Sequence, residues 1–126
     1  MSIDTSTFKY QETRWQDLYS FLKGKGYDVY APGRHKGECL STYIVVNNGT
    51  SSKTLNFSSN EDLYDILIYV PDGKFSELES TLEQVKRDMK DLFPLFKPYG
   101  QQTSPFHDDD VKGYMVSVMY SNYKKL

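Results

Sequence analysis

The sequence has 126 residues, 15% of them aromatic, and 15 Lys and Arg against 17 Asp and Glu, which gives a formal charge of -2. This length predicts one domain with a single core, and the aromatic content excludes an intrinsically disordered chain. The slightly acidic balance excludes an overall positive field for nucleic-acid binding. The single cysteine, Cys39, excludes an intrachain disulfide and a cysteine-cluster zinc site.

The sequence predicts neither a membrane protein nor a secreted one. No run approaches the ~18 apolar residues that a membrane span requires, and the N-terminal residues lack the apolar core of a signal peptide. We therefore expect a soluble protein that stays in the compartment where it is made. The single domain is expected to cover residues 1–126, with the polar residues 1–11 as an arm.

The first helix is predicted from residue 13 onwards. Thr13 and Gln16 have the spacing of a capping box. Four large side chains recur at the spacing of one helical face: Trp15, Leu18, Tyr19 and Leu22. Gly24 or Gly26 can adopt the left-handed conformation that closes a helix, so we expect the helix to end there.

Three strands are predicted in the central part of the chain. Residues 27–31 (YDVYA) are typical of a short strand, and the β-branched residues of 41–47 (STYIVVN) indicate a second one. Residues 63–70 (LYDILIYV) are apolar at nearly every position, which predicts a strand covered on both faces or a central antiparallel strand. Asn48 and Gly49 predict a hairpin turn between the second and third strands, extended by the serines that follow.

A second helix and a last strand are predicted in the C-terminal half. Ser76 and Glu79 have capping-box spacing, and four apolar residues share one helical face: Leu78, Leu82, Val85 and Met89. The helix is expected to reach about residue 92, because Pro94 prevents it from continuing. A long irregular connection follows, and residues 114–123 alternate as an amphipathic strand does.

The resulting order, α-β-β-β-α-β, predicts an α+β fold. We expect a single domain in which about four strands form a mostly antiparallel sheet and the two helices pack on one face of it.

A histidine and three aspartates, His107 to Asp110, precede the last strand and raise the question of a metal site. Carboxylates and imidazoles bind Mg²⁺ or Mn²⁺, but catalytic ions are held by ligands from several elements, and the EF-hand pattern is absent. Asp108, Asp109 and Asp110 are therefore weak metal candidates, and no cofactor is predicted. The alternatives are a solvated acidic loop and a loop neutralised by a cation or by Lys or Arg of a neighbouring subunit.

The loop before the second predicted strand carries the basic triplet Arg34, His35 and Lys36 between glycines. Such a loop suits an anion, a protein partner or plain solvation, but it lacks the spacing of a phosphate-binding loop. Cys39 could use His35 or His107 as a base, yet no nucleophile motif surrounds it. No catalytic residue is predicted, and we expect a protein that is not an enzyme.

This order of elements resembles the tail terminator, or tail completion, proteins of long-tailed bacteriophages and prophages. The similarity covers residues 13–123 and rests on the strand-turn-helix DILIYVP…S.LE and on the acidic segment before the last strand. The resemblance implies a small structural protein that caps the tail tube as a ring, usually of six subunits, and offers a docking surface to the head connector.

The implied partners are further copies of the chain, the tail tube protein and the head connector or stopper protein, with DNA passing only through the ring lumen. The implied location is the head–tail junction of the virion, after assembly in the cytoplasm of the bacterial host. The isolated subunit is expected either as a ring or as a monomer that closes only on its tube.

A closed ring requires two different, complementary patches on each subunit. The loop at residues 34–36 is basic and the loop at residues 108–110 is acidic. We therefore expect the basic loop of one subunit to contact the acidic loop of its neighbour. The predicted interface residues are Arg34, His35, Lys36, Asp108, Asp109 and Asp110.

Three other functions remain open at this point. The first is another small head–tail adaptor, stopper or minor virion protein. The second is a metal-dependent hydrolase that uses His107, the aspartates and Asp65. The third is a monomeric module that pairs its sheet edge with a peptide.

Overall fold

Two helices and six strands make up the described part of the chain, which is residues 14–49, 61–100 and 103–123 of a computed structural model. In chain order the elements are α1 (Arg14–Gly24), β1 (Val29–Tyr30), β2 (Tyr43–Gly49), β3 (Glu61–Pro71), α2 (Ser76–Met89), β4 (Phe96–Pro98), β5 (Phe106–Asp108) and β6 (Gly113–Tyr123). Short 3-10 turns, Asp72–Lys74 and Lys90–Leu92, precede and follow α2. No described helix is long and apolar enough to cross a membrane.

The six strands form one mixed sheet in the order β1-β2-β3-β6-β4, with β5 also paired to β6. β1 is parallel to β2, and all the other pairs are antiparallel. β3 and β6 are the long central strands, paired from Glu61 with Tyr123 to Pro71 with Gly113. The α+β class expected from the sequence is confirmed, whereas the expected number of about four strands is too low.

The two extra strands lie in the segment that was expected to be irregular. β4 and β5 have three residues each and pair with different parts of the outer side of β6. Between them the amides of Tyr99 and Thr103 donate to the carbonyls of Met119 and Ser117. The segment after α2 therefore covers the β6 edge, which would otherwise present unpaired backbone groups.

Both helices pack on the same face of the sheet. Ile66, at the centre of β3, lies opposite Val46 and Val118, and all three side chains belong to the core. The helices contribute residues that are at most 3% exposed: Leu18, Leu22, Leu78, Leu82, Val85 and Met89. Burying one such side chain stabilises the fold by about 1.5–3 kcal/mol, so this apolar layer is a main source of stability.

α1 is anchored at both ends by specific contacts. The Trp15 indole N–H donates to the carbonyl of Val46 at 2.7 Å, which ties the start of the helix to β2. At the other end Gly26 has a φ of 99°, its amide bonds to the Lys23 carbonyl, and the Tyr27 amide bonds to the Leu22 carbonyl. These two bonds form a Schellman motif, so Gly26 is the glycine that ends the helix.

Two local predictions from the sequence are wrong. Asn48 and Gly49 do not form a tight turn, because both lie in β2 and pair with Tyr64 and Leu63 of β3. Ser76 does not cap α2 with its side chain. The 3-10 turn leads straight into the helix, and the backbone carbonyl of Phe75 already accepts from the Leu78 amide. The predicted capping residue Thr13 and the arm at residues 1–11 lie outside the described residues.

Candidate interaction surfaces

The acidic turn follows β5, and the carboxylates of Asp108 and Asp109 are engaged within the chain. The Asp110 amide donates to Asp108 Oδ1 at 3.0 Å, which stabilises the turn. His107 lies between two carboxylates, with Nε2 2.6 Å from Asp72 Oδ1 and Nδ1 2.7 Å from Asp109 Oδ1. Both ring nitrogens can donate only in the doubly protonated imidazolium. The hydrogen bond to Asp72, followed by that to Asp109, raises the pKa of His107 despite some desolvation.

The described residues do not assemble the metal site weighed from the sequence. No three His, Cys, Asp or Glu side chains converge there as metal ligands. Asp65 pairs with Met119, and His107 pairs with Tyr114, five residues away along β6. Because neighbouring residues of a strand point to opposite faces, an odd separation also places these two side chains on opposite faces of the sheet. The ligand set of the hydrolase alternative is therefore not brought together.

His35, the centre of the basic triplet, packs into a group of aromatic rings. Its ring stacks on that of Tyr43 at 3.8 Å between centroids, and Tyr43 stacks on Tyr69 at 4.7 Å. Tyr30 contacts both His35 and Tyr43 edge-on. Burial raises the pKa of Tyr43 and of Tyr69. His35 is thus a packing residue, whereas Arg34, its neighbour, is exposed.

The basic loop and the acidic turn contact each other within one chain. The Cys39 amide donates to the Val111 carbonyl at 2.6 Å, and Lys112 Nζ lies 3.7 Å from a Glu38 carboxylate oxygen. Desolvation raises the pKa of the buried Cys39 thiol, so this cysteine is a poor nucleophile near neutral pH. The segments that follow the basic loop and the acidic turn therefore meet at one mixed-charge corner, beside the start of β6.

The second face of the sheet carries no described helix. Alternate residues of the central strands point to this face and are half-buried: Val45, Asn47, Asp65, Leu67, Tyr69, Met115, Ser117 and Met119. We call this group the uncovered face, because no described helix packs on it; at the end near the basic loop, Tyr69 stacks on the buried Tyr43 beneath His35. The composition of the uncovered face is mostly apolar, with one carboxylate at its centre, which is unusual for a surface in contact with water.

That carboxylate, Asp65, lies between Asn47 of β2 and Met119 of β6. Among the described residues it has no hydrogen-bond or ion-pair partner, and desolvation alone raises its pKa. A partly desolvated carboxylate without a partner is unfavourable.

A different apolar surface borders α2 and the β6 edge. Four large apolar side chains there are well exposed: Phe75, Phe93, Tyr99 and Phe106. A cavity of about 600 Å³ lies between the end of α2, β4 and β6, lined by Met89, Phe93 and Phe96, with Lys86 and Lys90 also on its wall. A second cavity of about 340 Å³ adjoins Phe75 at the start of α2. We call this surface the α2 edge.

Neither the uncovered face nor the α2 edge was identified from the sequence as a candidate site. A signal was present in the segment FPLFKPYG, whose aromatic residues are too numerous for a solvated connection. No protein-family model matches the sequence, and no characterised protein matches it by sequence similarity.

Proposed function

We propose that this protein is a structural subunit of a phage or prophage tail, which caps the tail tube as a ring and offers a docking surface to the head connector. The observation that carries the proposal is the pair of dissimilar apolar surfaces, the uncovered face of the sheet and the α2 edge, which adjoins it along β6. A ring subunit needs two such patches, because each contact in a ring joins one patch to a different one on the neighbour.

The composition and the element order support the same proposal. Eleven tyrosines supply large side chains with polar ends, which suit surfaces that lie against other proteins. The order of elements resembles that of tail terminator proteins, which are structural. The proposed partners are the tail tube protein and the connector or stopper protein, at the head–tail junction, with DNA passing through the ring lumen.

A second candidate is another head–tail adaptor or stopper, which would also be a ring subunit with two surfaces. The two candidates differ in the partner that the isolated protein binds, since a terminator binds the tube end and a stopper binds the connector. Binding of the protein to purified connectors but not to tubes would favour the second candidate. The metal-dependent hydrolase is disfavoured, because Asp65 and His107 point to opposite faces of the sheet.

The deciding experiment is electron microscopy of the protein mixed with tail tubes purified from the phage that encodes it. Rings bound at one end of each tube are expected, with no density along the tube sides. Absence of binding, or uniform decoration along the tube, would contradict the proposal. A phosphodiesterase assay with Mg²⁺ and with Mn²⁺ on the same preparation serves as the control, since turnover would indicate a hydrolase instead.

A further inference from the structure

Asp65 is the feature of the uncovered face that calls for a partner. Its neighbours along β3 on the same face are Leu63 and Leu67, and Met119 lies opposite on β6. Aspartate is disfavoured in strands, and apolar surroundings such as these disfavour its charged form because they remove water from the carboxylate. A cation brought in by a docked protein would offset this cost and would fix the position of that protein on an otherwise apolar surface.

A cation next to an apolar side chain is found at the end of α2. Lys90 begins the 3-10 turn after the helix, is exposed, and makes no ion pair with any residue of the described chain. Phe93, three residues further on, is 61% exposed. Nearby lysines differ in this respect, because Lys86 lies 3.5 Å from Glu83, and Lys25 lies 2.8 Å from Asp91. We call Lys90 and Phe93 the α2 tip.

Lys90 makes no ion pair with Asp65 of its own chain. Both helices lie on the core face of the sheet and Asp65 points to the opposite face, but Lys90 and Phe93 line the cavity at the β6 edge together with Met119, the residue opposite Asp65. A contact between Lys90 of one copy and Asp65 of another would use one patch of the first copy and a different patch of the second. Such a head-to-tail contact generates a closed ring if its rotation closes and a filament if it does not.

We infer that the α2 tip of one copy docks on the uncovered face of the next copy, with the Lys90 ammonium beside the Asp65 carboxylate and Phe93 against Leu67 and Met119. This inference rests on the proposed function in taking the assembly to be a ring, but the contact itself requires only a second copy of the chain. It assigns the subunit interface to the uncovered face and the α2 tip rather than to the charged loops.

Exchanging the charges of Lys90 and Asp65 tests whether these two side chains pair between copies. Lys90→Asp and Asp65→Lys should each weaken self-association by about 10- to 100-fold in sedimentation equilibrium, because each leaves two like charges facing one another. The double variant Lys90→Asp/Asp65→Lys should recover most of the loss. Lys36→Asp, at an exposed lysine of the basic loop, is the matched control and should associate as the unmodified chain does. Thermal melting of each variant shows whether a loss of self-association comes from misfolding.

Cross-linking tests the proximity without depending on stability. In a Cys39→Ser background, a Lys90→Cys chain and an Asp65→Cys chain are mixed and treated with a short bismaleimide, with and without tail tubes. A covalent heterodimer is expected from the mixture, in at least about 10-fold excess over the homodimers of either chain alone, because docking raises the effective concentration of the two thiols.

The outcomes separate this inference from the proposed function. Rings on tail tubes together with no heterodimer, or with full association of the Lys90→Asp variant, would overturn the inference and leave the tube-capping function standing. A heterodimer formed by a chain that never binds tubes would support the inference and contradict the proposed function. A chain that gives neither heterodimer nor self-association, with tubes or without, overturns the inference.

Discussion

Replacing Gly113 by alanine should destabilise the protein through a steric clash. Gly113 begins β6, where the basic loop, the end of β3 and the acidic turn come together. A Cβ added there would lie 2.7 Å from the Val70 carbonyl oxygen and 3.0 Å from Cys39 Cβ. The first distance is to backbone that pairs with β6, so it cannot be relieved by a side-chain rotation. Such overpacking costs about 1–3 kcal/mol.

This cost corresponds to a fall in Tm of about 3–15 °C for a domain of this size, at about 3–5 °C per kcal/mol. Urea unfolding and calorimetry of Gly113→Ala measure it directly. Gly73→Ala is the matched control, since nothing lies within 4 Å of its added Cβ. The control should lie within about 1 kcal/mol of the unmodified protein, on the stabilising side if the lower entropy of the unfolded chain dominates.

The Cys39→Gly variant separates the clash with Cys39 from the clash with the Val70 carbonyl oxygen. It removes the Cβ at 3.0 Å but leaves the Val70 carbonyl at 2.7 Å. In a double-mutant cycle, Gly113→Ala should therefore cost less in the Cys39→Gly background but should remain destabilising. Equal stability of Gly113→Ala and Gly73→Ala would refute the packing of the basic loop and β3 around Gly113.

Three other substitutions test single contacts of the fold. The pKa of His107 is raised above its unfolded value of about 6.5, so its stabilisation is complete below that pH and is lost as the pH rises through the folded pKa. The stability difference between the unmodified chain and His107→Gln should thus shrink as the pH rises above about 6.5 and through the folded pKa, as measured by urea unfolding, and an NMR-measured pKa at or below the ordinary value would contradict this. Trp15→Phe removes the hydrogen bond to the Val46 carbonyl and should cost about 1–2 kcal/mol; an unchanged urea midpoint would count against that bond. Asn122→Ala leaves the Leu95 carbonyl without its 2.8 Å donor and should cost about 1–3 kcal/mol, again by urea unfolding.

The long periodic elements could be predicted from the sequence because periodicity reports burial. The face of α2 expected from spacing, Leu78 to Met89, is buried. The expected alternation in β6 is also observed, with Val116, Val118 and Tyr120 in the core. In these elements the burial of one apolar face dominates the free energy of folding. Apolar residues must therefore recur in the sequence with the period of the helix or the strand.

The short and local features could not be predicted, because tertiary contacts decide them. β4 and β5 have three residues each, too few to show alternation, and exist because β6 offers an unpaired edge. Asn48 and Gly49 favour a turn in isolation, but pairing with β3 holds them in a strand. His35 looked like part of a basic patch, since a sequence does not show that Tyr43 lies beneath its ring.

The distribution of paired and unpaired charges argues for moving the proposed subunit contact from the loops to the uncovered face and the α2 tip. In the loop corner His107 lies beside Asp109 and Lys112 beside Glu38, and the charged side chains of Arg34, Lys36 and Asp110 are exposed to water. Asp65 and the α2 tip lack such partners among the described residues. A ring contact gains most where it pairs a charge that the subunit leaves unpaired, because the subunit has already paid part of the desolvation cost. The exposed cations of the basic loop then remain available for a different partner.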